Sequence, residues 1–218
     1  MDLVSRGFVV ASINYQLSSH AIFPAQIHDC KTAIRWLRAH AHEYKIEAEH
    51  IGIWGSSAGG HLMALVGTSG DVAELEGDLG NHDQSSHVQA VCDWFGPTNL
   101  LLMNKQSGDF GTMNHDAAGS PESLLLGGPL QQVPEKATLA NPLSYVTPDD
   151  PTFLIVHGDK DPLVAWQQSQ LLADALKASK CDVQFTIVPG AGPGGFSDPQ
   201  IKDDGMNFFV KSLMKDKP

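Results

Sequence analysis

The residues best placed to do chemistry lie in the run Ile51 to His61, IGIWGSSAGGH, which holds Gly55, Ser57 and Gly59 as G-x-S-x-G. An apolar run precedes it and an apolar helical pattern follows, which predicts a tight strand-to-helix turn presenting the Ser57 hydroxyl. Glycines on both sides are expected because side chains there would meet the neighbouring strand or helix. A helix starting at Ala58 would aim its first N–H groups at an anion forming beside the serine. Nucleophilic attack by serine also requires an imidazole to take the proton and a carboxylate to steady the imidazolium. Carboxylates occur downstream in His157-Gly158-Asp159-Lys160-Asp161, but no histidine follows His157.

The elements that must position these groups follow from periodicity. Phe8 to Ile13, Ile51 to Trp54, Val88 to Trp94, Phe153 to Val156 and Val183 to Val188 are short apolar runs, as expected of parallel strands covered on both faces. The first is expected to be central or nearly so. Ile27, Cys30, Ile34, Leu37 and Ala41 fall at helical steps, as do Leu62, Leu65 and Val66, then Leu172, Ala175 and Leu176, and finally Ile201, Phe208, Phe209 and Leu213. Residues 70–87 read as a surface loop. Residues 98–150 read either as a cap-like insertion or as a surface excursion with short helices. The alternation predicts an α/β fold, a mostly parallel sheet with helices on both faces, in one domain spanning 1–218. Ligands of such sheets bind beyond the carboxyl ends of the strands, where Ser57, the 157–161 loop and the Gly190 to Phe196 loop would converge.

At 218 residues, 42% hydrophobic and 18% charged, the chain suits one globular domain. Its net charge of -11 provides no basic stripe for nucleic acid or an anionic membrane, and neither is expected as a partner. Cys30, Cys92 and Cys181 are too scattered for a zinc knuckle or a disulfide framework, so free buried thiols are expected. Met1 to Gly7 lacks the apolar core of a signal peptide, so a soluble, cytoplasmic chain is the default expectation.

Four stretches, NYQLSSHAIFPAQIHDCKTAIRWLRAHA, IGIWGSSAGGHLMALVGTSG, DWFGPTNL and FLIVHGDKDPLV, resemble the α/β-hydrolase superfamily, within it the hormone-sensitive-lipase-like and feruloyl-esterase-like carboxylesterases. The resemblance covers most of the chain. It implies a serine esterase of small or medium carboxylic esters with no metal or organic cofactor. The family's HG-x-x-D pattern puts the acid at Asp161 and leaves Asp159 as a turn residue. Ser57 would be the nucleophile and the Ala58 N–H an oxyanion-hole donor.

Two departures bear on activity. The family's last loop reads G-A-G-H-G-G-F, with its histidine as general base, whereas this chain reads Gly190-Ala191-Gly192-Pro193-Gly194-Gly195-Phe196. Pro193 occupies the base position and has no titratable group. The family's His-Gly-Gly stretch, which supplies further oxyanion donors, has no counterpart here, so the fold is expected to lack its N-terminal strands. The resemblance then implies a one-strand gap between Phe8 to Ile13 and Ile51 to Trp54, closed by an inward shift of the first strand or by a second copy as a homo-oligomer. A catalytically silenced homologue acting as a binding module is the alternative function.

Other motifs carry less. Gly190 to Gly195 matches G-x-G-x-x-G, but after the last strand rather than the first, against a dinucleotide site. His40, His42 and His50 read as solvated residues near a helix end rather than metal ligands. His61, on the helix after the serine, is expected to point away from it, and His157 to act as a hydrogen-bonding residue behind the acid. His20 is the remaining candidate for a replacement base. Trp94, Met103 and Phe110 are weak candidates for lining a substrate pocket, with ordinary core the competing expectation.

Overall fold

The computed structural model describes residues 3–70, 72–194, 196 and 198–214. Four strands, β1 (Gly52–Ser56), β2 (Ala90–Trp94), β3 (Thr152–Gly158) and β4 (Val183–Val188), form one sheet in the order β1-β2-β3-β4. Every pairing is parallel. The helices are α1 (Ala25–Ala39), α2 (Ala41–Tyr44), α3 (Ala58–Thr68), α4 (Met103–Ser107), α5 (Pro121–Leu126), α6 (Pro134–Leu139), α7 (Gln167–Ala178) and α8 (Pro199–Leu213), with short 3-10 turns between several of them. Among the described residues no helix is long and apolar enough to cross a membrane.

Strand alternation divides the core in two. Val91, Phe153 and Ile155 meet Ile27, Cys30 and Ile34 of α1, Leu62 and Leu65 of α3, and Leu172 and Leu176 of α7. Ala90, Cys92, Trp94, Leu154 and Val156 point the other way, onto Met206, Phe208, Phe209 and Leu213 of α8. Helices therefore cover both faces, as the continuous apolar runs require. All three cysteines are free and buried.

Phe8 to Ile13 is not the central strand expected from its composition. It forms no strand, and Val9 and Val10 remain 57% and 49% exposed. Nor has it moved inward to pair with β1, whose ladder partner is β2. A β-branched run becomes a strand only where a neighbour accepts its backbone hydrogen bonds, and none of the described segments does so here.

Residues 70–87 are less of a surface loop than their composition implies. Leu75 is fully buried in the main core, and Glu76 receives Lys31 Nζ at 2.7 Å and Arg35 Nη1 at 2.7 Å. Lys31, Arg35 and Arg38 form a second, buried stripe along α1; Arg38 donates to the carbonyls of Ala48, Ser85 and His87. Residues 98–150 carry short helices whose Leu100, Met103, Leu126, Leu130, Ala137 and Ala140 join the main core.

Candidate active site

β1 ends at Ser56 and α3 begins at Ala58, so one residue makes the reversal. Ser57 adopts φ 53 and ψ -123, a conformation that costs a non-glycine residue about 1–3 kcal/mol. Backbone bonds from Ser57 N to Trp94 O (2.9 Å) and from His61 N to Ser57 O (3.0 Å) hold it there. The Ser57 side chain is exposed at the carboxyl end of the sheet, and the Ala58 N–H opens the first turn of α3, where no intrahelical acceptor exists.

The glycine requirement is only half as expected. A Cβ on Gly55 would run into the Gly59 backbone, but one on Gly59 would meet nothing within 4 Å. The second constrained position is Gly60, outside the motif, where a Cβ would collide with Asp93 Oδ1 and come to 3.0 Å from Gly96 Cα. Gly59→Ala should therefore be neutral or stabilise by about 0.5–1 kcal/mol, and Gly60→Ala should cost about 1–3 kcal/mol, both readable from urea unfolding midpoints.

β3 delivers the acid loop. Asp161 is buried, and its Oδ1 accepts from the Leu163 and Val164 N–H groups at 2.8 and 2.9 Å. Its Oδ2 makes no hydrogen bond among the described residues. His157 Nε2 comes to 3.5 Å from that oxygen, but lies 2.8 Å from the Val164 carbonyl, while Nδ1 lies 2.7 Å from Ser169 Oγ. A carbonyl can only accept, so Nε2 carries a proton and donates to it, while the Ser169 hydroxyl can pair with Nδ1 in either direction. His157 is thus a hydrogen-bonding bridge between the Val164 carbonyl and Ser169, behind Asp161.

Asp159 is engaged elsewhere: its Oδ1 accepts from Gly190 N at 2.6 Å. Lys160 N donates to Ala191 O at 2.9 Å, and Gly158 leaves no room for a side chain against Ala191. The Gly190 loop is thereby laid against the acid loop, with Pro193 exposed within it. The G-x-G-x-x-G reading of this loop ends at Gly195, outside the described residues.

Among the described residues no histidine side chain is shown in contact with Ser57. His61 Nδ1 faces Pro97 O at 2.9 Å; burial pushes its pKa down against the opposing pull of that carbonyl and of Glu122. His20 is exposed, its ring beside Ser19 Oγ at 3.3 Å. His40 stacks on Trp36, and His50 lies 2.9 Å from Glu47. Among the described residues no group of three or more histidine, cysteine or acidic side chains could hold a metal ion. Of the pocket candidates, Trp94 packs edge-on to Trp54 and Phe196, Met103 is in the main core, and Phe110 is 56% exposed.

Sequence reasoning passed over Asp93. It is fully buried on β2 and accepts from Gly96 N at 2.9 Å, tying the turn after β2 to the packing of Gly60. Burial raises its carboxyl pKa to about 6, with the Gly96 N–H and the charge of His157 pulling the other way. The available signal was an acid three residues before the glycine of DWFGP.

Comparison with known proteins identifies the family and the fold. The BD-FAE family model matches residues 1–176. Esterase LipC of Mycobacterium tuberculosis is 30% identical over 202 residues, 88% of this chain and 46% of that protein. Esterase LipQ of the same organism is 32% identical over 190 residues, 87% of this chain and 43% of that protein. The chain thus spans less than half the length of these curated relatives. Among solved structures, a truncated form of a carbohydrate esterase from gut microbiota superposes with a TM-score of 0.89 at 38% identity, covering 98% of this chain and 77% of that one. A bifunctional GH43-CE protein from Bacteroides eggerthii gives 0.88 at 37% identity, covering 98% of this chain and 28% of that one. In its matched family, its relatives and its fold, the chain belongs to the BD-FAE family of α/β-hydrolase esterases.

Proposed function

We propose a serine carboxylesterase-type site that acts on small or medium carboxylic esters, with turnover weak or absent in this chain. The observation that carries the proposal is the strained turn at Ser57, which a non-glycine residue does not adopt without a reason. In this reading Ser57 Oγ attacks the ester carbonyl, and the Ala58 N–H donates to the oxygen that becomes negative. Asp161, whose buried Oδ2 has no hydrogen-bond partner among the described residues, is set to orient an imidazole. Pro193 stands where that imidazole is needed, and an unassisted serine hydroxyl is a poor nucleophile at neutral pH. The carbohydrate esterase among the similar structures favours an ester carried on a carbohydrate.

The same proline favours a second reading, a silenced homologue that retains the site for binding. Hydrolysis of p-nitrophenyl acetate by the purified chain, compared with Ser57→Ala, separates the two. Rates indistinguishable between the two proteins would remove the esterase reading for this chain; a Ser57-dependent rate would remove the silenced one.

A further inference from the structure

A buried imidazole outside the serine chemistry lies beside the acid turn. His115 and Glu122 are both buried, with Nδ1 3.1 Å from Oε1. The backbone of His115 is anchored on both sides: its N–H donates to Asn104 Oδ1 at 3.0 Å, and its carbonyl accepts from Ser120 Oγ at 2.7 Å. The Leu163 carbonyl also faces the ring. Three residues upstream, Thr112 N and Oγ1 reach Pro162 O at 2.9 and 3.3 Å. Residues 112–115 therefore grip Pro162 and Leu163, and the N–H groups of Leu163 and Val164 are the ones that hold Asp161.

A carboxylate and a carbonyl are both acceptors, and an imidazolium, which donates at both nitrogens, suits them better than a neutral ring with one donor. Neither contact is a well-aligned hydrogen bond, so the attraction is chiefly between charges and a neutral ring loses most of it. We propose that His115, held by Glu122, is a positioning residue for the acid turn, acting through Leu163 and Val164 on Asp161 and gripping hardest when its ring is protonated. The role in catalysis rests on Asp161 being the acid.

The surrounding charges agree. Contact with Glu122, against the cost of burial, and then the charge of Glu122, the Leu163 carbonyl and Asp116 hold the His115 pKa above its ordinary 6.5. Asp116 is itself occupied by Asn104 Nδ2 and Gln131 Nε2. His61, on α3 and within the field of Glu122, has its pKa pushed down by burial, against the Pro97 carbonyl and Glu122. Because the folded pKa is raised, the stabilisation is fully present below 6.5 and is lost as pH rises through the folded value.

The test is amide hydrogen exchange followed by NMR at Leu163, Val164 and, for reference, Val156 in β3, at about pH 6 and about pH 9. After correction for the intrinsic rate, protection at Leu163 and Val164 should fall by about tenfold on going to high pH, with Val156 unchanged. His115→Gln should give low, pH-independent protection at the first two. If that variant fails to fold, Glu122→Gln should flatten the profile in its place. A flat profile in the unaltered chain, a parallel loss at Val156, or an unchanged profile in the variant that folds would overturn the proposal. None of these readouts needs turnover, so failure of the esterase reading would show separately, as loss of any Ser57-dependent rate.

Discussion

Pro193→His should raise p-nitrophenyl acetate hydrolysis by about 10² to 10⁴-fold, the ordinary contribution of a positioned general base. Pro193 is exposed, so the new side chain displaces no core. Its loop is already fastened to the acid loop through Asp159 and Gly190 and through Lys160 and Ala191. Asp161 Oδ2, without a hydrogen-bond partner among the described residues, offers the carboxylate that an imidazole at 193 would use. The gained rate should vanish in the double variant with Ser57→Ala. It should also rise with pH through about 6.5 to 7, as the new base loses its proton. A Pro193→His chain no faster than its parent would move the deficit to the oxyanion side, where each missing donor costs about 10² to 10³ in rate.

Glu76→Ala should produce the largest loss of stability, because it strips one carboxylate from two buried cations. Lys31 and Arg35 side chains are 0% and 2% exposed, and both meet Glu76 at 2.7 Å. Breaking a buried pair from one side costs about 3–5 kcal/mol, and 27% exposure of the Glu76 side chain argues for the lower end. For a chain of this size that corresponds to a fall in melting temperature of about 10 °C, measurable by calorimetry. The pH dependence should change as well. Burial pushes the Glu76 carboxyl up, but hydrogen bonds from Lys31 and Ser86 and the charges of Lys31 and Arg35 outweigh it and hold the pKa below 4.5. Such a group stabilises above its unfolded pKa, and the gain disappears as pH falls through the lower folded value. Glu76→Ala should therefore make the acid limb of the stability profile shallower. An unfolding midpoint within error of the parent's would show that Ser69 O and the other carbonyls around the two cations suffice.

What could be read in advance from the sequence was whatever depends on neighbours along the chain. The turn at Ser57, the acid loop after His157 and the apolar runs of the four strands each carry their evidence within about ten residues. What escaped depends on residues far apart. Lys31, Arg35 and Arg38 carry no local sign of burial; the 70–87 segment brings Glu76 and a set of carbonyls to them. Phe8 to Ile13 has the composition of a buried strand, but composition says nothing about whether a partner stands beside it. Gly59 looked essential and Gly60 incidental because the motif names one and not the other; the positions of Asp93 and Gly96 reverse their importance. Residues 98–150 lacked periodicity because their helices are too short to show it, although their apolar side chains enter the main core.

Ser57 depends on an outer strand. β1 is hydrogen-bonded to β2 along one edge, and no described strand borders the other. Edge strands open locally at a fraction of the free energy of global unfolding, and the strained turn at the end of β1 persists only while that strand stays seated. The lifetime of the strained Ser57 conformation is then set by the fraying of five residues rather than by the melting of the domain. A chain that is still folded by every global measure can already have lost the geometry of its serine.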